Sequence, residues 1–170
     1  MSRAFVREED GDLPEDLPEL PVSPHPNYVT PRGLALLEAE LSELLETLAA
    51  LDPKQMDFRQ QTALLQRRER WLRTRISGAI LVTPEDTETS PTQVGFGHYV
   101  QLMDEVGEIF YVQIVGEDES DPSAQRVSWR SPLAQSLMGA EAGEERLWKR
   151  PAGDIYVEVM AISHRAPTSL

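Results

Sequence analysis

Asp52, Gln55 and Asp57 stand together in the stretch Asp52-Pro53-Lys54-Gln55-Met56-Asp57-Phe58, between two long helical patterns. A carboxylate followed by proline suits a helix start, with Asp52 as N-cap, Pro53 at the first helical position and Gln55 at the capping-box site. Such a cap contributes ~0.5–2 kcal/mol. The same side chains would lead anything the two helices reach into. A second acidic group, Glu117, Asp118, Glu119 and Asp121, has the composition of a calcium loop without its spacing or glycine. It reads as a solvated turn or as a patch for a basic partner. Arg59, Arg67, Arg68, Arg70, Arg73 and Arg75 offer either phosphate binding or pairing with a neighbouring acidic helix, and the second is the simpler reading. His25, His98 and His164 are scattered without metal-ligand spacing. The chain carries no nucleophile–base pair, phosphate loop or dinucleotide fingerprint.

The elements that must position these groups begin with a leucine stripe. Leu34, Leu37, Leu41, Leu44, Leu48 and Leu51 follow a 3-4 spacing, the seam of a coiled coil. Thr30-Pro31 supplies an N-cap and first helical residue. A helix over residues 31–51 would be ~30 Å long at ~1.5 Å per residue. The second helix would run from Asp52 to about Ser77, with Gly78 as a left-handed C-cap. Phe58, Leu65, Leu72 and Ile76 match the leucine seam, and Glu69 falls on that face with no evident reason. Glu38, Glu40, Glu43 and Glu46 oppose the arginines of the second helix, which favours an antiparallel hairpin.

After Gly78 the pattern turns to strands: 79–82, 98–103, 108–115, 125–129, 146–149 and 155–162. Turns are expected at Asp104–Gly107 and Pro151–Asp154, a loop over 83–96, and a short helix opened by Ser131-Pro132 and closed at Gly139. Residues 1–27 contain seven acidic residues, two arginines and five prolines, the composition of a mobile tail. Phe5, Val6, Leu13, Leu17 and Leu20 also leave a docking peptide open. The organisation expected is a tail over 1–27, a helical hairpin over 28–78 and a β-rich domain over 79–170.

The 170 residues carry 16 Lys+Arg against 29 Asp+Glu, a net charge of −13. That balance argues against general binding to nucleic-acid phosphates and against sequence-specific DNA contact by this chain alone. The absence of cysteine removes disulfides and thiolate metal sites. No apolar run approaches the ~20 residues of a membrane helix. The start lacks the apolar core of a signal peptide. A cytoplasmic, soluble, monomeric protein is expected.

Tyr28-Val29-Thr30-Pro31-Arg32-Gly33 running into Leu37–Leu41, then Arg67–Leu72, Gln113–Glu119, Ser131–Gly139 and Pro151–Asp154, resembles in order the Gre family of bacterial transcript cleavage factors. The resemblance covers roughly residues 28–164 and is nearer the GreB branch in the second helix. It implies an α+β protein: an antiparallel coiled-coil hairpin entering the secondary channel of RNA polymerase, and an FKBP-like β domain with one short helix docking at the channel rim. It implies polymerase contacts through Glu117, Asp118, Glu119, Arg130, Ser131, Pro132 and Leu133. The family often has a polar or acidic residue where Arg130 stands.

In the family an acidic pair at the tip holds a second Mg²⁺ beside the polymerase's own metal, for two-metal cleavage of nascent RNA. Here Asp52 matches the first acid, Gln55 replaces the second, and the tip is one residue shorter if Phe58 takes the aromatic place. On a helix Asp57 would lie ~140° away from the Asp52 face. The first helical arm is also shorter than in the cleavage factors. The expectation is therefore an accessory elongation regulator with weak or absent cleavage stimulation, itself not an enzyme. It would hold no metal when free, and any Mg²⁺ would be shared with polymerase through Asp52. One alternative is an active GreB-like cleavage factor using Asp52 and Asp57. A second is a peptide-binding or prolyl isomerase module, although aromatic residues are only 6% of the chain and an aromatic-lined pocket is not expected.

Overall fold

The computed structural model describes residues 17–83 and 90–167. The hairpin consists of α1 (Pro31–Ala50) and α2 (Phe58–Ser77). Thr30 caps α1 as expected, its hydroxyl accepting from the Gly33 N–H at 2.9 Å. The seam is buried where the leucine spacing put it. Leu37, Leu44 and Leu72 form its centre, flanked by Leu34, Leu41, Leu48, Leu65 and Ile76. Glu69 is accommodated because its carboxylate turns outward to Arg73, one helical turn on, at 2.8 Å.

Two strands clamp the open end of the hairpin. β1 (Asn27–Val29) enters α1, and β2 (Ala79–Leu81) leaves α2. They pair in parallel, Asn27 opposite Ala79 and Val29 opposite Leu81. The antiparallel helices bring the chain back to its starting point, and the turn at Gly78 sets β2 parallel to β1. Gly78 has φ −90°, so the expected left-handed cap does not form. The continuing strand takes the chain instead.

The remaining strands are β3 (Tyr99–Asp104), β4 (Ile109–Val115), β5 (Arg126–Ser128), β6 (Glu145–Trp148) and β7 (Ile155–Ser163). They form one sheet in the order β5-β4-β3-β7-β6, antiparallel except where β5 runs parallel to β4. The short helix α3 (Pro132–Leu137) covers its inner face. Val100, Leu102, Ile114, Leu137 and Val159 are fully buried there. The alternation of apolar residues along β3 and β4 produces this one-sided core. Helical hairpin followed by sheet and short helix is the α+β architecture expected.

Over residues 17–26 the tail follows the docking-peptide alternative rather than the mobile-tail reading. Residues 1–16 lie outside the described residues, but 17–26 are laid along α2. Arg67 donates to the Pro18 carbonyl at 3.3 Å, and Arg70 pairs with Glu19 at 2.7 Å. The Trp71 indole N–H donates to the Pro21 carbonyl at 3.0 Å. Four prolines in this stretch, Pro18, Pro21, Pro24 and Pro26, restrict the backbone and lower the entropy lost on docking. The expected loop over 83–96 falls partly outside the described residues.

Candidate functional site

At the hairpin tip, α1 ends at Ala50 and α2 does not begin until Phe58. Asp52 therefore does not cap α2, contrary to the sequence reading. Its carboxylate accepts from the Lys54 N–H at 2.9 Å, and its carbonyl accepts from the Gln55 N–H at 3.0 Å. An aspartate followed by proline stabilises this turn as readily as a helix start, because its side chain mimics the backbone carbonyl. Asp57 takes the N-cap position without making a side-chain cap bond. Its carboxylate accepts instead from the Gln61 side chain, one turn along α2. The two carboxylates are thus held by separate local partners. Between them lie Lys54, Gln55 and Met56, and Met56 is fully exposed at 105%.

The tip's donor set is poor for a divalent cation. Mg²⁺ is held through one or two carboxylates plus waters. Here one carboxylate, Asp52, is followed by a lysine ammonium and a neutral amide. Among the described residues no group of three or more His, Asp or Glu side chains could hold a metal ion.

The acidic triplet is placed at the hairpin base. Glu119 is 6% exposed. Its carboxylate accepts from the Thr30 hydroxyl at 2.5 Å and pairs with Arg32 at 3.1 Å. It sits at the N-terminal end of α1, where the helix dipole favours negative charge. Gly33 makes room for it, since a Cβ there would meet Glu119 Oε2 at 2.6 Å. Asp118 pairs with Arg75 at 2.7 Å. Arg75 is itself 3% exposed, and its guanidinium also donates to Asn27 Oδ1 at 2.6 Å. Glu117 accepts from the Ser23 hydroxyl at 3.1 Å. Gly116 lets this loop lie against β1, where a Cβ would come within 2.5 Å of the Tyr28 carbonyl oxygen. Thus Glu117, Asp118 and Glu119, read from sequence as a solvated turn or partner patch, all have intramolecular partners that bind the sheet to the hairpin.

Five of the six arginines of α2 are similarly engaged, Arg67 with the Pro18 carbonyl as described. Arg68 makes a bidentate contact with Glu40 at 2.7 and 3.0 Å and stacks over Trp71 at 4.2 Å. This pair is the α1–α2 contact that the opposed charges led us to expect. Arg70, Arg73 and Arg75 go to Glu19, Glu69 and Asp118 respectively.

Arg130, Ser131, Pro132 and Leu133 form the turn into α3. Ser131 caps it, accepting from the Ala134 N–H at 3.2 Å. Arg130 is exposed, its guanidinium 5.4 Å from the Trp129 ring centroid. Leu133 is 3% exposed and belongs to the core, so it supports this surface from beneath. Beside it opens a cleft of about 670 Å³ walled by Phe110, Val127, Leu133, Trp148 and Pro151. The low aromatic content argued against such a pocket. Phe110 and Trp148 meet all the same, 6.4 Å apart, because the sheet curls.

These features can be set beside known proteins. The family model described as Transcription elongation factor, GreA/GreB, C-term matches residues 88–164. The transcription elongation factor GreB of Neisseria meningitidis serogroup B (strain MC58) is 31% identical over 154 residues, covering 81% of this chain and 94% of that protein. The chain belongs to the GreA/GreB family of transcription elongation factors. The GreB of Pseudomonas aeruginosa is 34% identical over 142 residues, covering 74% of this Gre-family chain and 83% of its relative. A solved GreA/GreB structure from Nitrosomonas europaea shares 24% identity, covers 81% of this chain and 98% of that one, and superposes with a TM-score of 0.40.

Sequence reasoning missed two parts of this Gre-family site, the Arg75 cluster and the aromatic cleft, and held the docked 17–26 segment only as the alternative to a mobile tail. Arg75 could not be distinguished from five similar neighbours by spacing. The run of prolines was the available signal for a docked segment.

Proposed function

We propose that this Gre-family elongation factor binds bacterial RNA polymerase with its hairpin in the secondary channel and stimulates transcript cleavage weakly or not at all. The observation that carries the reading is the tip. Asp52 is turned onto the Lys54 amide, Gln55 stands where the resembling factors keep a second acid, and Asp57 is engaged by Gln61. In the resembling factors an acidic pair holds the tip cation, and a single carboxylate beside a lysine ammonium attracts a second cation more weakly. This tip offers Asp52 alone. Any Mg²⁺ there would be shared with carboxylates of the polymerase, and no step of cleavage is assigned to this chain. The protein would act as an accessory factor that regulates by occupying the channel.

The exposed turn Arg130-Ser131-Pro132 is the proposed polymerase-docking element. Asp118 is not a good probe of docking, since its substitution would loosen the hairpin base through Arg75. The test uses stalled, backtracked complexes of bacterial core polymerase. The protein should bind at physiological salt, lose affinity on Ser131→Ala/Pro132→Ala substitution, and alter extension without shortening the RNA. Robust RNA shortening that disappears with Asp52→Asn would overturn the reading in favour of an active GreB-like factor.

A further inference from the structure

The cleft beside α3 adjoins an open strand edge. β4 runs over Ile109–Val115, but β5 pairs only with Gln113, Ile114 and Val115. Pairing stops because Gln125 adopts a left-handed conformation, φ 57°, and diverts the chain from the sheet. The Gln113 N–H donates to the Gln125 carbonyl on this side, while the Ile114 N–H donates to the His98 carbonyl on the other. Alternate residues of a strand address opposite neighbours. Ile109 and Tyr111 therefore present backbone N–H and C=O groups toward the side that β5 has left. Next to that edge lies the cleft of about 670 Å³, floored by Phe110 and Trp148.

Its rim is electrically distinctive. The chain has 29 acidic residues against 16 basic ones, yet no carboxylate lines the cleft, and its ionic residues are Lys149 and Arg150. Arg150 is held in place by donation to the Gly153 carbonyl at 3.0 Å and by the Trp148 ring at 5.2 Å. An apolar trough with a cationic rim beside an unpaired edge suits one class of ligand. An extended peptide adds a strand through its main chain and inserts alternate side chains into the trough. Its remaining side chains meet the rim. We infer that this cleft binds an extended acidic peptide, with alternating apolar and acidic residues, as an added strand on β4. The cleft lies away from the hairpin tip but shares Ser131 and Pro132 with the proposed docking turn. Its test uses the free chain and a peptide, so failure to bind peptide and failure to bind polymerase are read separately.

The probe is a fluorescein-labelled peptide of about ten residues alternating Val and Glu, enough to span a typical strand. It is titrated into the full chain and followed by fluorescence anisotropy. Saturable binding is expected. Replacing every Glu by Lys, or N-methylating alternate backbone amides, should each weaken it by about tenfold or more. Ala152→Trp, at an exposed turn position that fills the trough, should abolish binding while thermal unfolding stays unchanged. Lys149→Glu/Arg150→Glu should reverse the preference between acidic and basic peptides. No saturable binding of the acidic peptide overturns the inference. So does equal binding of the lysine peptide, which removes the electrostatic argument, or of the N-methylated peptide, which removes strand addition.

Discussion

Arg75→Met tests whether the base of the hairpin is held by its buried ion cluster. The substitution removes the bonds to Asp118 at 2.7 Å and Asn27 at 2.6 Å, and leaves both acceptors facing an apolar side chain. Truncating one partner of a buried pair costs ~3–5 kcal/mol. The Asp118 and Glu117 side chains keep 21% and 24% exposure, so water can partly resolvate them. The lower end, ~3 kcal/mol, is therefore expected. For a chain of this size each kcal/mol shifts Tm by ~2–4 °C, giving a fall of about 6–12 °C. Circular dichroism during heating at neutral pH measures it. Asp118→Asn keeps an acceptor and should cost ~1 kcal/mol. The double variant should be less destabilised than the sum of the two singles by ~1 kcal/mol or more, because both changes break the same contact. A fall under ~2 °C for Arg75→Met, or strict additivity, would refute the reasoning.

Gly116→Ala should lower stability by ~1–3 kcal/mol, because the new Cβ meets the Tyr28 carbonyl, and urea unfolding with no change in midpoint would contradict that. Leu72→Ala, at a fully buried seam position, should cost ~2–5 kcal/mol in the same measurement. The hydrogen bond from Arg70 holds the Glu19 carboxyl below its ordinary 4.5. The contact is thus favoured fully above that ordinary value and is lost as pH falls through the lowered one. A carboxyl-carbon NMR titration should find Glu19 below 4.5, moving back toward it in Arg70→Gln; an unchanged midpoint in that variant would exclude the pair as the cause. Gln55→Glu should introduce Mg²⁺-dependent RNA shortening in stalled polymerase complexes, and its failure would mean that tip geometry, besides charge, is unsuited to cleavage.

The elements were legible where one physical rule dominates. The leucine stripe identifies α1 because a 3-4 apolar spacing has no competing explanation, and Thr30-Pro31 marks its start within a residue. Ser131-Pro132 does the same for α3. At the tip, two rules compete. Asp-Pro opens helices and also stabilises turns, and the turn wins because Lys54 and Gln55 amides reach Asp52 first. The acidic triplet was misjudged for a different reason. Its partners Thr30, Arg32 and Arg75 are 43 to 89 positions away in sequence, and local composition carries no sign of them. The cleft was hidden by averaging. A 6% aromatic content says little when sheet curvature brings Phe110 and Trp148 together.

The parallel clamp of β1 and β2 makes the hairpin a cantilever. Among the described residues its bonds to the sheet domain lie at one end, and segment 17–26 reaches along α2 only as far as Arg67. Each helix has 20 residues, so the arm measures ~30 Å from that base. Over that length an angular error of ~10° at the support displaces the far end by ~5 Å, by simple trigonometry on the helical rise. A position tolerance of an ångström at Asp52 would thus demand about two degrees at the support. Angular stiffness of that kind must come from short, directional bonds. Those are what Arg75, Asp118, Thr30 and Glu119 supply. Mutations nearly a full arm's length from the tip should therefore change where it points.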